Sequence, residues 1–218
     1  MRMNRDLSED LTEYVLGSIT TAVLADKPWP HAYIPEALPT DLALGLSRSF
    51  DRFDMQTVEK TGTEKPYRFR TTALDQAAVY TLPTAAWTVL AGLLSEPSYR
   101  SAIGRLTGLS LRYSDFALNL WEYQAGDWLA PHVDKPEKIV TQIFYLTDRW
   151  DHADGGRLLI LDTADPASVV HALPPLLGSS AILVRSSSSW HAVESPGPRA
   201  AYRRSITATF WHRPSVGG

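Results

Sequence analysis

From residue 109 onward the chain is cut into short runs that alternate apolar and polar residues, each closed by Gly, Pro or Ser. Residues 117–123 put Asn119, Trp121 and Tyr123 on one face and Leu118, Leu120 and Glu122 on the other. Successive side chains point to opposite faces of a strand, so this pattern is that of a half-buried strand. Ala125-Gly126-Asp127 makes a turn. Residues 138–146 form a further strand, with Thr141, Ile143 and Tyr145 on one side. Residues 157–161, 181–184 and 203–211 read the same way, bounded by Asp154-Gly155-Gly156, the turn at 176–180 and Pro214. Many short strands of this kind specify a sandwich or a small barrel.

The first half has a different period. Residues 6–26 place Leu7, Leu11, Tyr14, Val15, Ile19 and Val23 at helical spacing, and Asp6 with Glu9 resembles a capping box. Pro28 and Pro30 end that helix, and residues 31–38 are extended. A second helix covers residues 41–50, and two more cover 84–95 and 97–107, the last closed by Gly108 as a C-cap. Residues 57–74 carry Gly62, Pro66 and many charges. They read as a long loop, either a solvated connection or the cover of a site mouth, with a short extended piece at 67–70 and with Arg68 and Arg70 able to meet an acidic substrate group. The expected class is α+β: a helical part, 1–108, packed on a β core, 109–218, as one integrated domain.

Composition removes several function classes. The chain of 218 residues has no Cys, which excludes disulfides, thiolate-bound zinc, iron–sulfur clusters and a Cys nucleophile. A net charge of −3 gives no basic surplus for nucleic acid or an anionic membrane. No stretch approaches the ~18 apolar residues of a membrane span, and the N-terminus lacks the apolar run of a signal peptide. A cytoplasmic protein is expected; its oligomeric state is left open.

The chemistry centres on His132-Val133-Asp134. A His and a carboxylate two residues apart face the same side of an extended chain and can hold one metal ion. A second His would complete a 2-His-1-carboxylate triad suited to Fe(II), with coordination positions left free. The candidates are His31, His152, His171, His191 and His212. His191 is favoured because it follows a predicted strand and its serine loop, 57 residues after Asp134. His152-Ala153-Asp154 repeats the pattern but lies in a charged turn with no preceding strand, and reads as a polar hairpin. In the last strand, alternation puts Arg203, Ser205 and Thr207 on one face and Arg204 and Ile206 on the other. An Arg inside a barrel calls for an acidic ligand, with which it forms a bidentate pair.

The order Tyr123, His132-x-Asp134, Tyr145-Leu146, Gly155-Gly156-x-Leu158, His191-x-Val193, Arg203-x-Ser205-x-Thr207 resembles the Fe(II)/2-oxoglutarate-dependent dioxygenases in their prolyl-hydroxylase-like branch. The likeness runs from about Asn119 to Trp211. It implies a double-stranded β-helix, a cupin-like jelly roll, packed on N-terminal helices. It implies Fe(II) on His132, Asp134 and His191, and a distal carboxylate of 2-oxoglutarate held by Arg203 and Tyr145. Thr141 and Thr207 would face the same cavity, Leu158 would pack on the cosubstrate, and Tyr123 would stand near the metal. Arg203 follows His191 by 12 residues, longer than the family spacing, so Arg204 stays a second choice. Asn119, Trp128 and Arg70 are substrate candidates, core packing being the competing role for Trp128.

The implied reaction couples oxidative decarboxylation of 2-oxoglutarate by O2 to hydroxylation of an unactivated C–H bond, with ascorbate as a stimulant. Desaturation or ring closure can use the same triad, whereas the carboxylate of Asp134 speaks against halogenation. The expected substrate is a small molecule such as an amino acid or other metabolite. The alternatives are a peptidyl, prolyl-type hydroxylase and a non-enzymatic cupin-like metal-binding module.

Overall fold

The computed structural model describes residues 2–62, 65–74, 82–199 and 202–213. Its elements are, in order, α1 (Arg2–Thr20), β1 (His31–Ile34), α2 (Thr40–Arg48), β2 (Gln56–Lys60), β3 (Tyr67–Leu74), α3 (Ala85–Ser95), α4 (Pro97–Thr107), β4 (Asp115–Tyr123), β5 (Trp128–His132), β6 (Lys138–Tyr145), β7 (Leu158–Leu161), β8 (Val169–Leu173), β9 (Ser180–Val184), β10 (His191–Val193) and β11 (Arg203–Trp211). All paired strands are antiparallel, in the order β1-β9-β6-β11-β4-β3-β5-β10-β7-β8, with β2 added beside β3. This sheet curls into a nearly closed barrel backed by four helices, the double-stranded β-helix expected. No helix among the described residues is long and apolar enough to cross a membrane.

Strand alternation divides the interior into two cores. Leu118 and Leu120 of β4, Val140 and Phe144 of β6 and Ile206, Ala208 and Phe210 of β11 face outward and pack under the helices. The helices answer with Val15 and Ile19 of α1, Leu46 of α2, Trp87, Leu90 and Leu94 of α3 and Tyr99 and Ile103 of α4. Each such side chain, fully buried, contributes roughly 1.5–3 kcal/mol. The opposite faces of β4 and β6, with Tyr123, Ile143 and Tyr145, join Phe69 of β3, Leu158 of β7 and Val193 of β10 in a smaller cluster inside the barrel. Layer and site are thus two sides of one set of strands.

Beyond the unpredicted short strands β8 and β10, the elements depart from the predicted ones in two places. Helix α1 ends at Thr20, well before residue 26. The Thr20 and Thr21 hydroxyls donate to the Leu16 and Gly17 carbonyls, Ala25 bridges His31, and Val23 is exposed. The larger departure is at residues 57–74. They form the β2–β3 hairpin, and β3 lies between β4 and β5 in the sheet. Charges on the outward positions hid the strand: Phe69 points into the barrel while Arg68 is exposed and Arg70 partly so. With β1 paired to β9, the residues before Gly108 therefore supply barrel strands as well as helices.

Gly108 adopts φ 72°, the left-handed conformation expected of the α4 cap. Gly155, at φ 66° and ψ −150°, turns the chain where an added Cβ would meet the Ser195 carbonyl oxygen at 2.5 Å.

Candidate active site

Strand β5 delivers His132 at its last position, and β10 begins at His191; the two residues are register partners on adjacent strands. Their ring centroids are 4.2 Å apart. Each ring is fixed by the same local device. The Nδ1–H of His132 donates to Ala130 O at 2.9 Å, and that of His191 to Ser189 O at 2.9 Å. A proton held on Nδ1 leaves the Nε2 lone pair for a metal. Both Nε2 atoms turn toward Asp134, at 3.7 Å from Oδ1 and 4.0 Å from Oδ2. One ligand atom from each of the three residues lies within 4.8 Å of the others, the geometry of a site that closes on one ion.

Electrostatics favour the ligating forms. Burial and the adjoining His132 imidazole push His191 down to about 3, against the pull of Asp134. Its ring is therefore neutral, as ligation requires. Burial alone would raise the Asp134 carboxyl, but the two imidazoles and the Lys138 ammonium, which donates to Oδ1 at 2.8 Å, hold it well below its ordinary value. It is a carboxylate.

A cavity of about 380 Å³ opens beside these residues. At its inner end lies Arg203, 3 % exposed, with its guanidinium carbon 4.9 Å above the Tyr123 ring and 5.1 Å from that of Tyr145. Its only hydrogen bond among the described residues is a long one, 3.5 Å, to Ser205 Oγ. Among the described residues, Arg203 Nε and the Tyr145 hydroxyl are both buried without a hydrogen-bond partner. Burial pushes the Tyr145 hydroxyl up to about 12, with Arg203 opposing, so it remains a donor at neutral pH. An unpaired buried guanidinium is costly. Two orphaned donors at one end of a cavity, with a carboxylate–imidazole cluster alongside, fit a dicarboxylate that also reaches a metal. Leu158, Thr141 and Thr207 line the same cavity, and Thr207 Oγ1 accepts from Trp121 Nε1 at 2.9 Å.

Other sequence candidates lie elsewhere. Arg204 points to the helical side, where its Nε donates to Glu122 at 2.7 Å, its guanidinium pairs with Asp51, and its carbon covers the Phe50 ring. It is a structural ion pair, and alternation along β11 is the reason. Arg70 shares Glu122 at 2.6 Å and does not line the cavity. Its neighbour Arg68 pairs with Asp127 at 3.4 Å. Trp128 lines a separate pocket with Leu129, Ala130 and Leu159 and does not line the cavity beside the triad. Asn119 lines a second, outer cavity of about 280 Å³ that shares Asp134, Thr141 and Thr207 with the first. His152 and Asp154 form a short 3-10 turn closed by a reciprocal Asp151–Asp154 capping box.

Several lining residues had escaped the sequence reading: Lys60 and Lys65, in the segment read as a loop, and Lys135 and Lys138 just after Asp134. Trp121 and Ser205 were legible from alternation alone.

Residues 118–212 match the family model of the 2OG-Fe(II) oxygenase superfamily. No curated protein matches the chain. Among solved structures, a prolyl-4-hydroxylase from Pseudomonas putida is similar with a TM-score of 0.65 at 21% identity, covering 93% of this chain and 100% of that one. A prolyl hydroxylase from Trichoplax adhaerens, in complex with a hypoxia inducible factor oxygen degradation domain peptide fragment, gives 0.63 at 15%, covering 97% and 93%. EvdO2 from Micromonospora carbonacea var. aurantiaca, complexed with 2-oxoglutarate, gives 0.57 at 15%, covering 85% and 87%. The segment 118–212, which carries most of β4 and all of β5 to β11, is thus similar to the 2OG-Fe(II) oxygenase superfamily, enzymes that work with Fe(II) and 2-oxoglutarate, and the His132–Asp134–His191 cluster lies within it.

Proposed function

We propose that the protein hydroxylates an unactivated C–H bond of a small molecule, with His132, Asp134 and His191 holding Fe(II) and Arg203 with Tyr145 holding the distal carboxylate of 2-oxoglutarate. The observation that carries this reading is Arg203: a buried guanidinium between two tyrosine rings, with no carboxylate of the described residues to pair with. When bound, the iron and its cosubstrate supply C–H oxidation by O2, coupled to decarboxylation of 2-oxoglutarate to succinate.

The chain's own residues orient and enclose. The Nδ1 bonds to Ala130 and Ser189 keep both imidazoles turned inward. Arg203 and Tyr145 give the cosubstrate one end to bind, which sets the distance of the other end from the triad. Leu158, Ile143 and Val193 wall the cavity with apolar surface, which limits water at the reacting atoms. A cavity of about 380 Å³ is of the size that takes small ligands, and part of it is filled by the cosubstrate. The second reading, a peptidyl hydroxylase, is favoured by the likeness to the peptide-bound Trichoplax enzyme.

The test is anaerobic addition of Fe(II) and 2-oxoglutarate, followed by the weak visible absorption of the chelate. Succinate release in air is then measured with small molecules and with proline-containing peptides. Absence of the band would sink the reading. Stimulation by peptides alone would transfer it to the second one.

A further inference from the structure

The chain is acidic overall, at −3, yet the mouth of its active site is basic. Lys60 at the end of β2, Lys65 in the β2–β3 turn, Lys135 directly after Asp134 and Lys138 at the start of β6 all line the inner cavity. Lys65, Lys135 and Lys138 also line the outer one, with Trp121 and Trp211. Among the described residues, the only carboxylate that lines either cavity is Asp134. It already receives the Lys138 ammonium and faces both imidazoles. Among the described residues, no carboxylate forms an ion pair with Lys60, Lys65 or Lys135.

Formal charges sharpen the point. The two positive charges of Fe(II) and the one of Arg203 are matched by Asp134 and by the two carboxylates of 2-oxoglutarate. The cosubstrate thus leaves the lysines uncompensated. Four like charges around one opening repel, and the arrangement costs free energy unless something negative enters it. Lys65 shows the strain locally. It is half-buried, its backbone lies in the left-handed region at φ 47°, which few residues other than Gly adopt, and burial pushes its ammonium down to about 8. A backbone in this conformation at a site mouth is what one expects where a side chain is held for a ligand.

We propose that the substrate is a small anion, whose carboxylate or phosphate group binds against Lys65 and Lys135 while the carbon to be oxidised faces the His132–Asp134–His191 centre. The assignment of the carbon rests on the oxygenase reading above; the anion site does not. The apolar and aromatic surface between the two ends, from Trp121 and Ile143 to Tyr67, suits the carbon skeleton that joins them.

The anion site is tested first with inorganic sulfate as the probe. The enzyme is loaded anaerobically with Fe(II) and saturating 2-oxoglutarate, so that Arg203 is occupied. Sulfate is then titrated while tryptophan fluorescence is followed, since Trp121 and Trp211 line the outer cavity. A saturable change is expected in the wild type. It weakens at least about tenfold, the size of one lost charge contact, in a Lys65→Met/Lys135→Met double variant. An Arg105→Gln variant, on the exposed face of α4, keeps the wild-type affinity. No saturable change in the wild type, or an unchanged affinity in the double variant, overturns the proposal. The chelate absorption of the same samples reads the iron site separately. Sulfate binding without that band would leave the anion site standing and remove the oxygenase reading. A second arm measures succinate release with matched pairs: carboxylic acids with their primary amides, phosphate monoesters with their alcohols, and an acidic peptide. Stimulation by the free acids or by the phosphates supports the proposal and names the headgroup. Stimulation by the neutral partners, or by the peptide alone, refutes it.

Discussion

His132 and His191 stand opposite each other on one rung of the β5–β10 ladder, ring centroids 4.2 Å apart, each donating Nδ1–H to the carbonyl two residues before it. The pairing makes the two imidazoles equivalent in function. Neither can be removed without opening the site. His191→Ala should abolish the chelate absorption and lower succinate formation by more than about 100-fold, beyond the 10–100-fold typical of losing an outer partner. Near-UV circular dichroism should keep its wild-type shape. A band that survives would place the third ligand elsewhere.

Arg203 and Arg204 adjoin in sequence, yet their substitutions should be opposite in kind. Arg203→Ala should raise the KM for 2-oxoglutarate at least about 30-fold, since truncating one partner of a buried charge pair costs ~2 kcal/mol or more. Its Tm without cosubstrate should fall much less than that of Arg204→Ala, because the removed guanidinium has no carboxylate partner among the described residues. Arg204→Ala instead removes one of the two guanidinium partners of Glu122, which is 2 % exposed, and leaves it to Arg70. Such a loss costs about 2 kcal/mol or more and should lower Tm by about 6 °C. Thermal melting and cosubstrate titration on both variants separate the roles. A Tm loss in Arg203→Ala equal to that in Arg204→Ala would contradict the assignment.

Gly155 occupies a backbone region all but closed to other residues, and an added Cβ would collide with Ser195 O. Gly155→Ala should therefore cost ~2 kcal/mol or more and lower Tm by about 6 °C. Gly156 follows at φ 73°, where a Cβ would lie 3.5 Å from the Arg203 Cβ. The strain of the substitution should accordingly also weaken 2-oxoglutarate binding. A variant with wild-type Tm would show that the turn can relax.

The anion affinity of the mouth should depend on pH in one direction. Burial depresses the Lys65 ammonium to about 8, with Lys138, Lys135 and Lys60 adding to the depression and Asp134 opposing it. The charged form is complete below that value and is lost as pH rises through it. Sulfate affinity should be highest below about pH 8 and fall above it, and the fall should flatten in Lys65→Met. An affinity that rises with pH, or a Lys65→Met profile that keeps the wild-type slope, would be inconsistent with Lys65 as a contact.

Periodicity made much of the molecule legible. Alternation along residues 117–123 and 203–209 placed Asn119, Trp121, Tyr123, Arg203, Ser205 and Thr207 on one face, and the β4–β11 register shows those residues paired across the sheet. The same logic read the α3 face and the Gly108 cap. At β3 it caught only the extended piece at 67–70, because outward arginines and neighbouring charges mask a strand of eight residues inserted between β4 and β5. Propensity and composition describe a segment's average environment, and a strand with one wet and one buried face averages to a loop.

The sequence by itself determined what each strand shows to either side: His132 and Asp134 on one face, Arg203 and Arg204 on opposite faces. That follows from a local cause, since adjacent side chains on an extended backbone must point apart. Only the tertiary structure decided which faces meet. It brought His191 opposite His132, turned Arg70 and Arg204 onto Glu122, and drew lysines from two separate segments, 60–65 and 135–138, to one opening. Strand pairing over long sequence separations is set by the burial of the whole sheet, and no short window of residues contains it.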